Sequence, residues 1–338
     1  MRVLIATALW PNLERPLLGS HVRAQVESLA TVGVECEVVS PSRRGRIVKY
    51  VELAGQVNRR LRTEHFDLVH AHYGFSGIAA RLQWKRPLIV TFHGSDLIPR
   101  TSATGQPTVL GRVERICSSF LCRYVDGVIV VSREMANALG EIPCEVIPVG
   151  VDLSMFRPIG RATARRILGL SDDRKYVLFV GEPTHMVKRF WLAEQAIELV
   201  RGAHPQAELI VANGQTPTDM PIWLSAADVL LLTSITEGSP VVVKEALACE
   251  LPVVSVPVGD VAARIAGADQ CKVVDATPQT LASAVNQILT SGLRSSNGRK
   301  VVSSTSSTVL AKQILDVYER VLETSGRGRR NHRVVAGG

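Results

Sequence analysis

Between Thr233 and Val254 the sequence sets two carboxylates around the start of a helix, in the run TSITEGSPVVVKEALACELPVV. An apolar stretch ends at Thr233, a short loop carries Glu237 and Gly238, and an apolar helical pattern follows Pro240. Ser239 reads as the N-cap and Pro240 as the first helical residue. The next backbone N–H groups, from Val241 onward, have no partner within the helix, and the positive end of the helix dipole lies behind them. That arrangement suits an anion such as a phosphate. Glu237 stands in the loop and Glu245 lies about two turns further on. An ionised carboxylate accepts hydrogen bonds from neighbouring hydroxyls, so the pair suits a ribose at one end and a sugar at the other. The plainer reading of the same spacing is a helix cap at Glu237 and a solvated Glu245.

Chemistry of this kind needs elements that bring loops together. The runs Val3–Leu9, Cys36–Ser40, Asp67–Ala71, Leu88–Phe92, Gly127–Val131 and Glu145–Pro148 are rich in Val, Ile and Leu without polar alternation. A second series follows at Tyr176–Val180, Glu208–Ala212, Val229–Thr233, Pro252–Val256 and Lys272–Val274. Such runs are strands of a parallel sheet covered on both faces. Helical patterns lie between them, among them Val22–Leu29 stopped by Gly33, about Lys188 to Val200, and about Pro278 to Leu289. The strand–helix alternation occurs twice, which predicts two doubly wound α/β domains. Pro148, Gly150 and Pro158 mark the break near Val149–Pro158, and Ser295–Thr308 reads as a loop or linker before a last helix. The expected segments are 1–155, 156–300, a helix over 301–325, and a basic flexible tail over 326–338.

The 338 residues, 46% hydrophobic and 21% charged, fit two soluble domains with sizeable cores. No apolar run is long enough to span a bilayer, and Met1–Trp10 reads as a buried first strand, not as a signal peptide. Six scattered cysteines without C-x-x-C suggest free thiols in a reducing cytoplasm. The net charge of +8 gathers in Arg43, Arg44, Arg46 and Lys49, in Arg59, Arg60 and Arg62, and in the arginines after Glu323. It fits solvated faces, or attraction to phosphate on a nucleotide or an anionic membrane. Aromatics at 5% and the lack of any nucleic-acid-binding motif argue against nucleic acid as a partner. There is no G-x-G-x-x-G, no G-x-x-x-x-G-K-[S/T], no G-x-S-x-G and no Asp-x-Asp, so dinucleotide, P-loop and nucleophile-elbow chemistry and an Asp-held metal are not supported. His70 and His72 share one side of a strand and read as packing or hydrogen-bonding groups.

The segment AADVLLLTSITEGSPVVVKEALACELPVVSVPVGDV resembles, over its whole length, the E-x7-E region of retaining glycosyltransferases of the GT-B fold, family 4. Other landmarks follow in that family's order: Gly19 in LLGSHVRAQVESLATVGVECEVVSP, then DLVHAHYGFSG, VTFHGSD, DGVIVVSREMANAL, the hinge-like VIPVGVDLSMFRP, and VLFVGEPTHMVKRFWLAEQAIELV. The likeness extends from residue 1 to about 290. It implies two Rossmann-like domains facing a central cleft, an acceptor-side first domain, a donor-side second domain, and a C-terminal helix that crosses back to the first. It also implies a nucleotide-diphosphate sugar donor and no metal. Glu245 would hold the ribose, Glu237 the donor sugar, and Lys188 the diphosphate, while His93 would help position sugar and acceptor at the anomeric centre. Gly19, Gly181, Gly238, Ser239 and Val241 would let backbone approach the donor.

The chain departs from the family pattern at three places. Gly181-Glu182 stands where Gly-Arg is usual, and Arg189, where glycine is common, is the candidate replacement cation. The stretch NGQTPTDMP is short where relatives frame the base. Glu-Gly-Ser-Pro replaces Glu-Gly-Phe-Gly, as in transferases of the teichuronic acid and exopolysaccharide type. The resemblance therefore implies a cytoplasmic, metal-independent, retaining glycosyltransferase of cell-surface polysaccharide or glycolipid assembly, with a glycan or lipid-linked acceptor and peripheral contact with an anionic membrane. A sugar-nucleotide epimerase or hydrolase of the same fold, and a non-catalytic scaffold subunit, are the alternatives.

Overall fold

A computed structural model describes the chain apart from residues 13, 16, 44, 46, 95, 99–107 and 336–338, and apart from the side chains of 326–335. The described residues divide into two compact units, one formed by those up to Val149 with those from Ser307 onward, the other by Gly150–Ser306.

The first unit runs β1 (Arg2–Thr7), α1 (Ser20–Ala30), β2 (Glu35–Val39), α2 (Val48–Thr63), β3 (Leu68–His72), α3 (Gly74–Arg81), β4 (Leu88–Phe92), α4 (Val109–Leu121), β5 (Gly127–Val130), α5 (Arg133–Leu139) and β6 (Glu145–Val146). Its sheet has the order β2-β1-β3-β4-β5-β6 with every pair parallel. Successive strand residues point to opposite faces. Leu4, Ala6, Val69, Ala71, Val90 and Phe92 therefore pack beneath α2, α3 and α4, while Val3, Ile5, Leu68 and Ile89 meet α1 and the last helix. Both faces are covered, which is why the strands read as unbroken apolar runs.

The second unit runs α6 (Arg161–Leu168), β7 (Lys175–Val180), α7 (Phe190–Val200), β8 (Ala207–Ala212), α8 (Met220–Ala226), β9 (Val229–Leu232), α9 (Val241–Ala248), β10 (Val253–Ser255), α10 (Val261–Ile265), β11 (Lys272–Val273), α11 (Pro278–Ser291) and α12 (Gly298–Val301). Its parallel sheet has the order β11-β10-β9-β7-β8. The chain steps from β7 outward to β8, then crosses to the other side at β9. The carboxyl ends of β7 and β9 thus form the switch point, where α/β sheets place ligands.

Ser295–Thr308 is not the loose linker its composition suggests. Ser295 is fully buried, α12 and a 3-10 turn fill the stretch, and Arg299 is anchored on the carbonyls of Phe156, Ala248 and Leu153. The last helix, α13 (Ser307–Val335), packs on α1 in the first unit and continues as helix ten residues into the expected tail. Both sheets are Rossmann-like, and the architecture is GT-B. No helix among the described residues is long and apolar enough to cross a membrane.

Candidate active site

Two loops meet at the switch point of the second unit. The one after β7 spans Gly181 to Arg189; the one after β9 spans Thr233 to Pro240. Lys188 Nζ donates to Glu237 Oε1 at 2.6 Å, and Ser234 Oγ donates to the same oxygen at 2.8 Å. Both partners of the ion pair are half-buried, which strengthens it relative to an exposed pair. Gly181 has φ +134° and lies against the Lys188 stem, where a Cβ would come within 3.5 Å of Cε. Backbone contacts hold the two loops together: Ile235 N–H donates to the Val187 carbonyl at 2.8 Å, and Thr233 Oγ1 donates to the Lys188 carbonyl at 2.7 Å.

Arg189 sits in the left-handed region at φ +49°, a conformation that favours glycine. That backbone turns its guanidinium onto the sheet. Nε donates to the Thr233 carbonyl at 2.6 Å and Nη2 to the Ser234 carbonyl at 3.2 Å. Arg189 is thus a strut between the loops, where the sequence suggested a cation reaching for phosphate. Glu182 accepts from Asn213 Nδ2 at 2.6 Å and from Thr184 Oγ1 at 3.1 Å.

The start of α9 corrects one sequence expectation. The helix begins at Val241 and Pro240 occupies the N-cap, with no side-chain cap. Ser239 does not cap because its hydroxyl is taken: it donates to Asp260 Oδ2 at 2.9 Å and accepts from Lys244 Nζ at 2.7 Å. No acceptor among the described residues takes the N–H of Val241 or Val242, as the anion-site reading requires. Glu245 is half-buried and receives no hydrogen bond from a described residue. Burial pushes its carboxyl up to about 7, against the pull of neighbouring Lys244. Neither an ion pair nor a hydrogen bond joins Glu245 to Lys188 or Glu237.

Three residues here escaped the sequence reading. Lys244 is fully buried, and burial lowers its ammonium to about 8 in spite of Asp260 nearby. Asp260 also faces Arg264 Nε at 3.0 Å. Gly259, at φ +53°, lets the β10–α10 turn close on the loop after β9; a Cβ there would lie 2.8 Å from the Gly238 carbonyl and 2.9 Å from that of Glu237. The available signal was Lys244 itself, the one basic residue in VVVKEALA, at a buried helical position.

The first unit has its own switch point, between β1 and β3, and histidines gather at the carboxyl ends there. His93 follows β4; its N–H and that of Gly94 donate to the Asp96 carboxylate at 3.2 and 2.9 Å. His93 Nε2 lies 2.9 Å from His72 Nδ1 with the rings stacked, and the His21 and Tyr73 rings are each 4.7 Å from that of His93. His72 Nε2 and His93 Nδ1 are buried without partners among the described residues. Desolvation, with the neighbouring histidines adding, holds both rings well below the usual imidazole range. His70, one turn of the pleat below, bridges Tyr318 of α13 and Thr91 at 2.6 and 2.7 Å. Gly19 sits at φ +67° with its α-carbon pressed on the Leu9 carbonyl, so a side chain is excluded there by the chain itself. Among the described residues no three His, Cys, Asp or Glu are grouped to hold a metal ion.

Two family models match this chain: "Glycosyltransferase Family 4" over residues 18–155 and "Glycosyl transferases group 1" over residues 206–291. The chain is a family 4 glycosyltransferase. TuaC of Bacillus subtilis (strain 168), a glycosyltransferase assigned to teichuronic acid biosynthesis, is 26% identical over 85% of this chain and 89% of its own. D-inositol 3-phosphate glycosyltransferase 2 of Catenulispora acidiphila is 26% identical over 87% of this glycosyltransferase and 88% of its own length. Among solved structures, sucrose-phosphate synthase of Thermosynechococcus elongatus superposes with a TM-score of 0.78 at 19% identity, covering 96% of this chain and 99% of that one. HepE of Anabaena, solved with UDP-glucose, superposes at 0.63 with 15% identity, covering 96% and 99%.

Proposed function

We propose that this glycosyltransferase is metal-independent and retaining, and moves a sugar from a nucleoside-diphosphate donor to a hydroxyl of a glycan or lipid-linked acceptor in cell-surface polysaccharide or glycolipid assembly. The observation that carries the reading is the half-buried Lys188–Glu237 pair beside the free amides of Val241 and Val242 at the start of α9. A departing diphosphate needs positive charge around it, and a lysine with a helix N-terminus supplies that without reorganisation. Glu237 takes the donor sugar's hydroxyls through the oxygen that Lys188 leaves open, and Glu245 takes the ribose hydroxyls. Gly181, Gly238 and Ser239 shape the backbone against the donor, and Arg189 contributes by bracing their loops. His93 is the first unit's contribution, positioning sugar and acceptor, with Gly19 shaping the chain beside it.

In the transfer, the bond from the anomeric carbon to the phosphate oxygen breaks. The acceptor oxygen bonds to that carbon on the same face, and the acceptor proton passes to the leaving phosphate oxygen. The products are the nucleoside diphosphate and a glycoside of unchanged anomeric configuration. The nucleotide and sugar are supported in kind by HepE's UDP-glucose complex, and the polysaccharide setting by TuaC. A lipid-linked acceptor places the enzyme at the inner face of the membrane, where Arg43 and Lys49 add attraction; Arg44 and Arg46 of that cluster lie outside the described residues.

The test is a panel of nucleotide sugars with and without EDTA, read by nucleoside diphosphate release and by the anomeric configuration of the product. Turnover unchanged by EDTA with retention is expected, with deep losses in Lys188→Ala and Glu237→Ala and a smaller loss in Glu245→Ala. Strict metal dependence, an inverted product, or full activity in all three variants rules the reading out.

A further inference from the structure

Helix α4 is built the wrong way round for a surface helix. Its buried residues, Gly111, Glu114, Ser118 and Leu121, mark the side packed on α3. On the opposite side stand Val109, Val113, Ile116 and Phe120, spaced four, three and four apart, so they form one row along the helix. Val109 is 79% exposed, Ile116 65% and Phe120 56%. Tyr124 continues the row beyond the end of the helix, its ring 5.0 Å from that of Phe120. Single exposed apolar residues need no explanation, but a continuous outward row of them does.

The charged residues on the exposed side of the helix are all basic. At about 100° per residue, Arg112, Arg115 and Arg123 fall together on one flank, and all three are exposed. The helix's one acid, Glu114, is on the buried side. At the lower end Trp84 is 70% exposed beneath the Arg81 guanidinium, and Arg81 Nη1 reaches the Tyr124 carbonyl at 3.1 Å. Asp126 lies 3.6 Å from the same guanidinium. An apolar crest, an arginine flank and the exposed rings of Phe120 and Tyr124, with Trp84 joined to them through Arg81, therefore lie together.

From this placement we infer that α4 docks the protein on an anionic lipid surface, lying in the plane of the interface with its crest among the acyl-chain ends and its arginines on phosphate headgroups. That composition is what interfacial helices carry, and tryptophan and tyrosine favour the headgroup depth. A second copy of the chain is the poorer occupant. A crest about 20 Å long and about 10 Å wide offers about 200 Å², well short of the ~800 Å² per partner of a stable dimer. The inference does not rest on the glycosyl-transfer reading, since it uses no residue of either switch point. It also gives the membrane contact a site other than the Arg43–Lys49 cluster.

The experiment is flotation of the full chain with vesicles of phosphatidylcholine alone and of phosphatidylcholine with phosphatidylglycerol, at low and high salt. Wild type is expected to float with the anionic vesicles, less so at high salt. Ile116→Glu with Phe120→Glu should weaken flotation by about tenfold or more, and Arg112→Glu with Arg115→Glu should remove its preference for phosphatidylglycerol. All four positions point away from the core, so the thermal melts should match wild type, and turnover of a soluble acceptor should be unchanged. Vesicles with brominated acyl chains should quench tryptophan fluorescence in wild type and not in Trp84→Phe. Equal flotation of wild type and the crest variant overturns the inference. So does a wild type that fails to float, and so does a dimer in sedimentation that the crest variant splits while neither binds vesicles.

Discussion

The two units repeat one architecture and load its switch point with opposite chemistry. In the second, charge is kept: Lys188 holds Glu237, Ser234 supports the pair, and Lys244 with Asp260 fixes the loop from below. In the first, charge is removed: four histidines and two tyrosines crowd together, and burial leaves the imidazole rings neutral. A site that must stabilise a leaving diphosphate needs pre-set cations. A neutral imidazole can give one hydrogen bond and take another, which suits positioning without repelling or trapping a charged group. For the proposed transfer, the comparison gives charge stabilisation to the second unit and orientation to the first.

Removing the cation is the severest test of that division. Lys188→Ala should lower kcat/KM by about 10²–10³-fold, with Glu237→Ala similar. The double variant should lose little more than either alone, because paired groups act as a unit. Steady-state kinetics with a saturating acceptor checks this, and additive losses would separate the two roles. Next comes the support below the loop. Lys244→Met keeps the bulk and removes the hydrogen bond to Ser239, so the loop shifts and turnover should fall by about 10²-fold, mostly through donor KM. The same variant has a stability signature. The folded ammonium titrates at about 8 and the unfolded one at 10.5, so the unfolded chain binds more protons between those values and wild type gains stability as pH rises through them. Denaturant melts of Lys244→Met should show no such gain.

What could be read in advance depended on how local the physics was. All eleven strands were legible from short apolar runs, clearest in β1 and β4, which are covered on both faces, and the structure moves their ends by no more than two residues. His70 and His72 facing one way follows from the two-residue period alone. The cap at Ser239 failed because its hydroxyl is claimed from below by Lys244 and Asp260, the latter 21 residues away, and local spacing cannot see that competitor. Arg189 was read for its charge alone, and local spacing cannot show that its guanidinium is taken up by the Thr233 and Ser234 carbonyls. Ser295–Thr308 looked like a linker by composition, yet Arg299 and buried Ser295 tie it to the core. The outward row on α4 was missed because helical periodicity reports an apolar face without saying which way it turns.

Glu245 sharpens the comparison with a smaller effect, because it is the one carboxylate of the second site without a bonded partner. Its folded carboxyl titrates near 7 against an ordinary 4.5, so the folded chain binds more protons in that interval and loses stability as pH rises through it. Donor hydroxyls bond best to the ionised form. Donor KM should therefore fall by up to about tenfold as pH rises from below to above 7. In Glu245→Gln the profile should be flat and the stability loss absent. A wild-type KM that ignores pH across this range would remove Glu245 from the ribose.

The mildest effect on activity should come from the foot of the histidine cluster. Tyr318→Phe deletes the hydroxyl 2.6 Å from His70 Nδ1, leaving a buried ring nitrogen with no partner. Such an orphan costs about 1–3 kcal/mol, and α13 loses its polar tie to the sheet. Kinetics at moderate temperature should stay within about twofold of wild type, because His93 is oriented by His72 and Asp96, which this change leaves alone. Burial lowers His70 to about 3, so below 6.5 the unfolded chain takes up protons that the folded chain refuses, and stability falls as pH falls. Phenylalanine leaves that burial in place, so the acid loss should keep its slope in Tyr318→Phe and start from a lower stability. An activity loss as large as the stability loss would mean that the cluster works as one catalytic unit from Tyr318 to His93.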